Sequence, residues 1–288
     1  MQRLKFINSR GQEIAFDSFP PFIFWKIQGT ELPPVTVISS HSSGQNGYTL
    51  HDLLLDEREV RLSCHIHGVE GKQKMFELRR ELNHICSPAF GLGSLIYTND
   101  YGSWQTPAFC GSNGYGNKIQ NIQTLDVTFE CPSAFWLSAE PVQAGLAYVE
   151  GGLEFPLKTP GAFGMLGYRV NISNDGDADA PLEFHIDGGA LNPVITNVTT
   201  GEFIKLSKFL QPHDKLYINT DPENMTVSLV SVDPETNEEV LTNAFGYLTD
   251  DSALFKLAPG MNEIIFSSDD ENKRVSIRII FRKRYAGV

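Results

Sequence analysis

The sequence predicts a mostly β protein of two domains: an N-terminal curved sheet or β-sandwich with one helix, then a C-terminal β-sandwich of jelly-roll or galectin-like form. Three observations lead there. Apolar and polar residues alternate over short runs in both halves, the period of a strand with one face on a core. A single helical stripe occurs, and it lies in the first half. Glycine (25), proline (16) and phenylalanine (19) are abundant among the 288 residues, a composition of short strands and many turns.

In the first half, Phe22-Ile23-Phe24-Trp25 and Val35-Thr36-Val37-Ile38 are short strand candidates bounded by prolines. Val60, Leu62, Cys64 and Ile66 alternate with Arg61, Ser63, His65 and His67, a clear period of two. The segment 72–86 then changes period. Met75, Leu78, Leu82 and Ile85 form one apolar stripe, with Lys74, Glu77, Arg79, Arg80 and Glu81 mostly off it. Pro88 closes this helix, because a residue preceding proline avoids the α region. Leu125, Val127, Phe129 and Cys131 alternate with Asp126, Thr128 and Glu130 in a further strand. One helix lying on a curved sheet is the economical arrangement of these parts.

Pro141, Gly145, Gly151 and Gly152 cluster in a predicted linker, residues 139–152, which separates a first domain (1–138) from a second (153–288). Beyond it, strand candidates recur at 168–172, 182–186, 203–206, 215–218, 227–232, 254–257, 263–266 and 275–281. Between them stand turn sequences such as Asn174-Asp175-Gly176-Asp177, which reads as a hairpin, Thr200-Gly201-Glu202 and Pro259-Gly260. Many short strands with regular turns argue for the sandwich.

A chain of this length buries about 75% of its unfolded surface, so its core needs no staple. The net charge of −12 argues against gripping nucleic acid, which needs clustered Lys and Arg. Most of that charge lies after residue 140, where 12 basic residues face 21 acidic ones. Cys64, Cys86, Cys110 and Cys131 lack CxxC pairing, which fits buried thiols in a reducing cytoplasm. Met1–Phe6 runs into polar residues with no apolar region behind it, so no secretory leader is expected. No run approaches the roughly 20 apolar residues of a membrane span.

Four motifs invite a functional reading, and each has a blander one. In Cys64-His65-Ile66-His67, alternation puts the histidines on one face and the cysteine on the other, so they do not converge on one metal ion. Asp175, Asp177 and Asp179 begin like a calcium loop, but Ala180 and Ile186 stand where glycine and glutamate are needed. Gly111-Ser112-Asn113-Gly114-Tyr115-Gly116 lacks phosphate-loop spacing and reads as a flexible loop. Arg278, Arg282, Lys283 and Arg284 read as the solvated side of an edge strand. Neither G-x-S-x-G nor H-E-x-x-H is present. No catalytic, cofactor-binding or metal-ligating residue is therefore assigned.

The order of these elements resembles the siphophage distal tail protein family nearly end to end. In the first half the resemblance runs through Gly47-Tyr48-Thr49-Leu50, the strand and helix already described, Leu95-Ile96-Tyr97-Thr98-Asn99-Asp100, and Phe129-Glu130-Cys131-Pro132. In the second it runs through Gly152-Leu153-Glu154-Phe155-Pro156-Leu157, which looks like the family's opening strand for that domain. Asn174–Asp177, Gly188-Gly189-Ala190-Leu191-Asn192-Pro193, Asn197–Glu202, Leu257–Asn262 and the terminal Arg284-Tyr285-Ala286-Gly287-Val288 follow in order.

The resemblance implies a non-enzymatic structural protein of a phage or prophage virion, synthesised in the bacterial host cytoplasm and placed at the tail tip. It implies a hexameric ring formed by the first domain; such a closing contact can be supplied by sheet edges, so edge strands of that domain, rather than its helix, are expected to join neighbouring subunits. The ring would stack on the tail tube protein and contact a tail-associated fibre or lysin protein. DNA would pass its channel without specific binding. The C-terminal domain would dock receptor-binding proteins, and no cofactor or membrane is involved.

Two other classes compete. A carbohydrate-binding accessory module would use an aromatic platform, but the second domain lacks Trp, and Tyr148, Tyr168, Tyr217, Tyr247 and Tyr285 are dispersed. A glycoside hydrolase on a β-sandwich would need two carboxylates that nothing in the sequence singles out.

Overall fold

The computed structural model describes residues 2–149, 167–232, 238–270 and 275–288. The chain divides into two units, Met1–Ala139 with Arg284–Val288, and Glu140–Lys283.

The first unit contains β1 (Arg3–Ile7), β2 (Glu13–Phe16), β3 (Phe22–Gln28), β4 (Val35–Ser40), β5 (Thr49–Leu55), β6 (Arg58–His67), α1 (Lys72–Ile85), β7 (Gly93–Thr98), β8 (Ser103–Ile119), β9 (Ile122–Cys131) and β10 (Trp136–Ser138). Its main sheet runs β2-β1-β7-β8-β9-β6-β3. The two ends of that order meet: Asp17 N–H donates to Phe22 O at 2.9 Å, and Phe24 N–H donates to Asp17 O at 3.1 Å. The strand alternation read from the sequence places Val60, Leu62, Cys64, Ile66, Leu125, Val127 and Phe129 on one core. Phe6 and Phe129 meet there at 5.1 Å, and Phe16 closes on Phe22 at 5.6 Å. The predicted stripe of α1 is buried on the same core, as Met75, Leu78, Leu82 and Ile85. Gly68 permits this packing, since a Cβ there would sit 2.8 Å from the Met75 nitrogen.

The stretch from Gly111 to Gly116 departs from its expectation. It is part of the 17-residue strand β8, not a loop. Pairing with β9 is interrupted by irregularities at Cys110/Ser112 and Tyr115/Lys118. A Cβ on Gly111 would meet Glu130 Oε1 at 2.3 Å, and one on Gly116 would meet Thr124 Oγ1 at 2.4 Å, so a larger residue at either position would displace those side chains.

The second unit contains β11 (Val142–Val149), β12 (Gly167–Asn174), β13 (Leu182–Asp187), β14 (Ala190–Leu191), β15 (Val194–Asn197), β16 (Glu202–Lys205), β17 (Phe209–Leu210), β18 (Lys215–Asn219), β19 (Thr226–Val232), β20 (Glu239–Asn243), β21 (Gly260–Ser267) and β22 (Ser276–Phe281). The order is β16-β15-β21-β12-β11-β22-β13-β18-β19-β20. β11 serves two sheets: residues 142–146 pair with β22, and 147–149 pair with β12. The inward residues of both sheets, among them Ile172, Phe184, Ile218, Leu229, Ile264 and Ile279, share one core.

Several expectations change here. The predicted linker at 139–152 contains β11, because Gly145 sits comfortably in a strand opposite Arg278. The last five residues, expected in the second domain, belong to the first unit. There β23 (Arg284–Tyr285) pairs with β10. Asn174–Asp177 is not a hairpin, since β12 and β13 belong to different pairings. It is a turn fixed by the buried Asn174 side chain, which donates to Ala178 O and Leu257 O at 3.1 and 2.9 Å and accepts from Gly176 N–H. Residues 254–257 form no strand and contribute a single bridge, Leu257 to Ala180. The strand expected at Gly152–Leu157 lies outside the described residues.

Candidate assembly interface

The sequence-selected motifs do not combine into a reactive site. His65 lies on β6 under Trp25, ring centroids 4.2 Å apart, while Cys64 points into the core. Asp175 accepts from Lys283 Nζ at 2.7 Å and from Ser173 Oγ at 2.5 Å. These bonds, that from Lys283 foremost, hold its carboxyl below the ordinary range. Among the described residues no group of three His, Cys, Asp or Glu side chains is placed to hold a metal ion. The basic stretch is not an edge: β22 lies between β11 and β13, where Arg278 approaches Asp187 at 3.9 Å. An edge needs a strand with one neighbour, and the chain's own β11 supplies the second.

The unusual feature of the first unit is the β4–β5 ribbon. Among the described residues its two strands pair only with each other, from Val35↔Leu55 to Ser40↔Thr49, with an irregularity after Ile38. Every residue of β4 is exposed, and so is all of β5 except Leu55. Alternation puts Val35, Val37 and Leu53 on one face and Ile38 and Leu54 on the other, so both faces are apolar. Leu50 and Leu53 are 50% and 55% exposed. A two-stranded ribbon is marginal in water by itself, and an exposed apolar surface on both sides marks an interaction site. The sequence offered Val35–Ile38 as a strand, but its alternation alone did not show that neither face would find a core.

The root of the ribbon is firmly held. Arg58, 1% exposed at the start of β6, donates from Nη1 to Gly29 O at 2.6 Å and Glu31 O at 2.5 Å. Its Nη2 donates to Ala134 O at 2.8 Å and Ala286 O at 2.5 Å. The guanidinium also lies 5.6 Å from the Trp136 ring. Burial lowers the pKa of Arg58, opposed by Cys131 and Glu31. Gly29, at φ +92°, turns the chain out of β3 where a Cβ would strike Glu59 O at 2.0 Å. Pro33 and Pro34 follow, and a cleft of about 550 Å³ lies at this root, bordered by Gln28, Leu32, Glu57 and Arg61. Trp25 and Leu32 are exposed nearby in sequence. The arrangement is a fixed base carrying an exposed apolar arm.

Residues 175–285 match the family described as the siphovirus-type tail component, C-terminal domain. No curated protein sequence matches the chain. Among solved structures, SPP1 Dit (gp 19.1), described as a paradigm of the hub adsorption apparatus in phages infecting Gram-positive bacteria, superposes with TM-score 0.68. It has 10% identity, over 98% of each chain. A chain of the phage P2 baseplate in its activated conformation with Ca gives TM-score 0.56 and 13% identity over 100% of both. The corresponding structure with Sr gives 0.53 and 14%, over 96% of this chain and 97% of that one. Residues 175–285 thus match the siphovirus-type tail component C-terminal domain, and the chain shares its fold with SPP1 Dit over nearly its whole length.

Proposed function

We propose that this chain is the distal tail protein of a long-tailed phage or prophage, a non-enzymatic hub whose first unit closes with five other copies into a ring. The exposed β4–β5 ribbon is the observation that carries this reading. An arm that buries itself in the next copy makes a heterologous contact, and such a contact either closes by rotation or runs on as a fibre. The ring joins the tail tube protein to the tail-associated fibre or lysin protein. The first unit has 12 basic and 13 acidic residues, a balance that lets DNA pass without being gripped. The second unit, read as a galectin-like sandwich, docks receptor-binding proteins. The protein is made in the host cytoplasm and resides in the virion tail tip.

Native mass spectrometry of the full chain, alone and co-expressed with the tube protein, tests this. Six-fold rings with a central hole in negative stain are expected, and replacing residues 35–55 by a short Gly-Ser link abolishes them. Monomers under both conditions would overturn the proposal.

A further inference from the structure

The two ends of the second unit's strand order are treated differently. At β16 the chain covers its own edge: Thr249 N–H donates to Lys205 O at 3.0 Å, and Ala253 N–H donates to Phe203 O at 2.8 Å. Ser252 Oγ accepts from Lys205 N–H at 2.9 Å. At the other end, among the described residues, β20 pairs with β19 alone, in unbroken register from Ser228↔Asn243 to Val232↔Glu239. Ala244 N–H donates to Val227 O at 2.8 Å, so by alternation the amides of Val240 and Thr242 face β19. Those of Glu239, Leu241 and Asn243 face away, and among the described residues nothing accepts from them.

We propose that β20 is a docking edge, which takes an extended segment of another tail-tip protein as an added strand with basic flanks. Free edges are ordinarily blunted by lysine, proline or a bulge. Residues Glu239–Asn243 contain neither lysine nor proline, and the register has no bulge. All five are exposed, Leu241 to 69%, and Phe245 and Tyr247 add exposed rings just beyond. Such an edge supplies affinity through main-chain hydrogen bonds and selects by alternate side chains. Charge sets the flanks: the unit holds 11 basic and 22 acidic residues, a net −11, although Glu239 at the start of the strand is itself paired with Lys215 at 2.7 Å. The source of the partner rests on the hub reading; the edge itself does not.

Amide hydrogen exchange, compared between the isolated full chain and purified virions, tests it. The amides of Leu241 and Asn243 should exchange freely in the isolated chain and at least about tenfold more slowly in virions. Those of Val240 and Thr242 should be protected in both. Leu241→Pro removes only an outward amide and should abolish the protection of Asn243 in virions; Leu241→Lys, which keeps the backbone intact, should do the same should the proline variant not fold. Virions that contain the chain but leave both amides unprotected would overturn the docking edge alone. Virions lacking the chain would overturn the hub reading and this proposal with it.

Discussion

Arg58 donates a 2.5 Å hydrogen bond to the carbonyl of Ala286, 228 positions further along the chain. The same guanidinium reaches Gly29, Glu31 and Ala134. One buried side chain thus ties the root of the apolar ribbon to the chain's last residues, which leave the second unit to complete the first.

Arg58→Ala leaves buried carbonyls without their charged donor. It is expected to destabilise the first unit by about 3–5 kcal/mol. Urea unfolding followed by tryptophan fluorescence measures this, since Trp136 is buried against the clamp. A loss below about 1 kcal/mol would mean that the carbonyls find other donors.

Leucines of equal size should behave in opposite ways. Leu82→Ala, at 0% exposure, should cost about 2–5 kcal/mol in any assembly state. Leu53→Ser with Leu54→Ser should leave the monomer within about 0.5 kcal/mol per site but abolish ring formation. Chemical denaturation and native mass spectrometry on the same samples separate the two, and a destabilised monomer would show that the ribbon packs on its own unit.

The four thiols should label unequally. Burial pushes Cys64 and Cys131 up to about 12. The interaction between the Cys86 and Cys110 thiols raises the pKa of Cys86 and lowers that of Cys110. Cys110 is also the only one of the four that is not fully buried. Iodoacetamide at pH 8 on the folded chain should therefore modify Cys110 first, read by peptide mass spectrometry. Labelling of Cys64 at the same rate would contradict the packing of β6.

The Asp175–Lys283 pair predicts a small acid dependence. Because folding lowers the carboxyl pKa from its ordinary 3.8, the pair contributes stability above that value. The contribution fades as pH falls through the lowered value. The melting-temperature gap between wild type and Asp175→Asn should thus be present at pH 7 and close progressively below about pH 4. A gap that persists at pH 2 would assign the effect to packing.

What the sequence determined by itself was whatever depends on near neighbours. The stripe of α1 and the alternation of β6 and β9 are local patterns, and each was buried on the face that its period dictates. The mostly β class followed from the same patterns. The tertiary structure alone decided matters that depend on distant partners. Gly111 to Gly116 became strand because β9 lay beside it and glycine could fit under Glu130 and Thr124. Val142–Val149 became the strand shared by two sheets, although its glycine and flanking proline looked like a linker. Arg58 read as an ordinary charged residue until four carbonyls from separate segments converged on it. The candidate interface was the least legible of all. An alternating apolar strand announces that a face will be buried, but only the fold shows whether the chain itself supplies the cover, and among the described residues nothing covers Val35–Ser40.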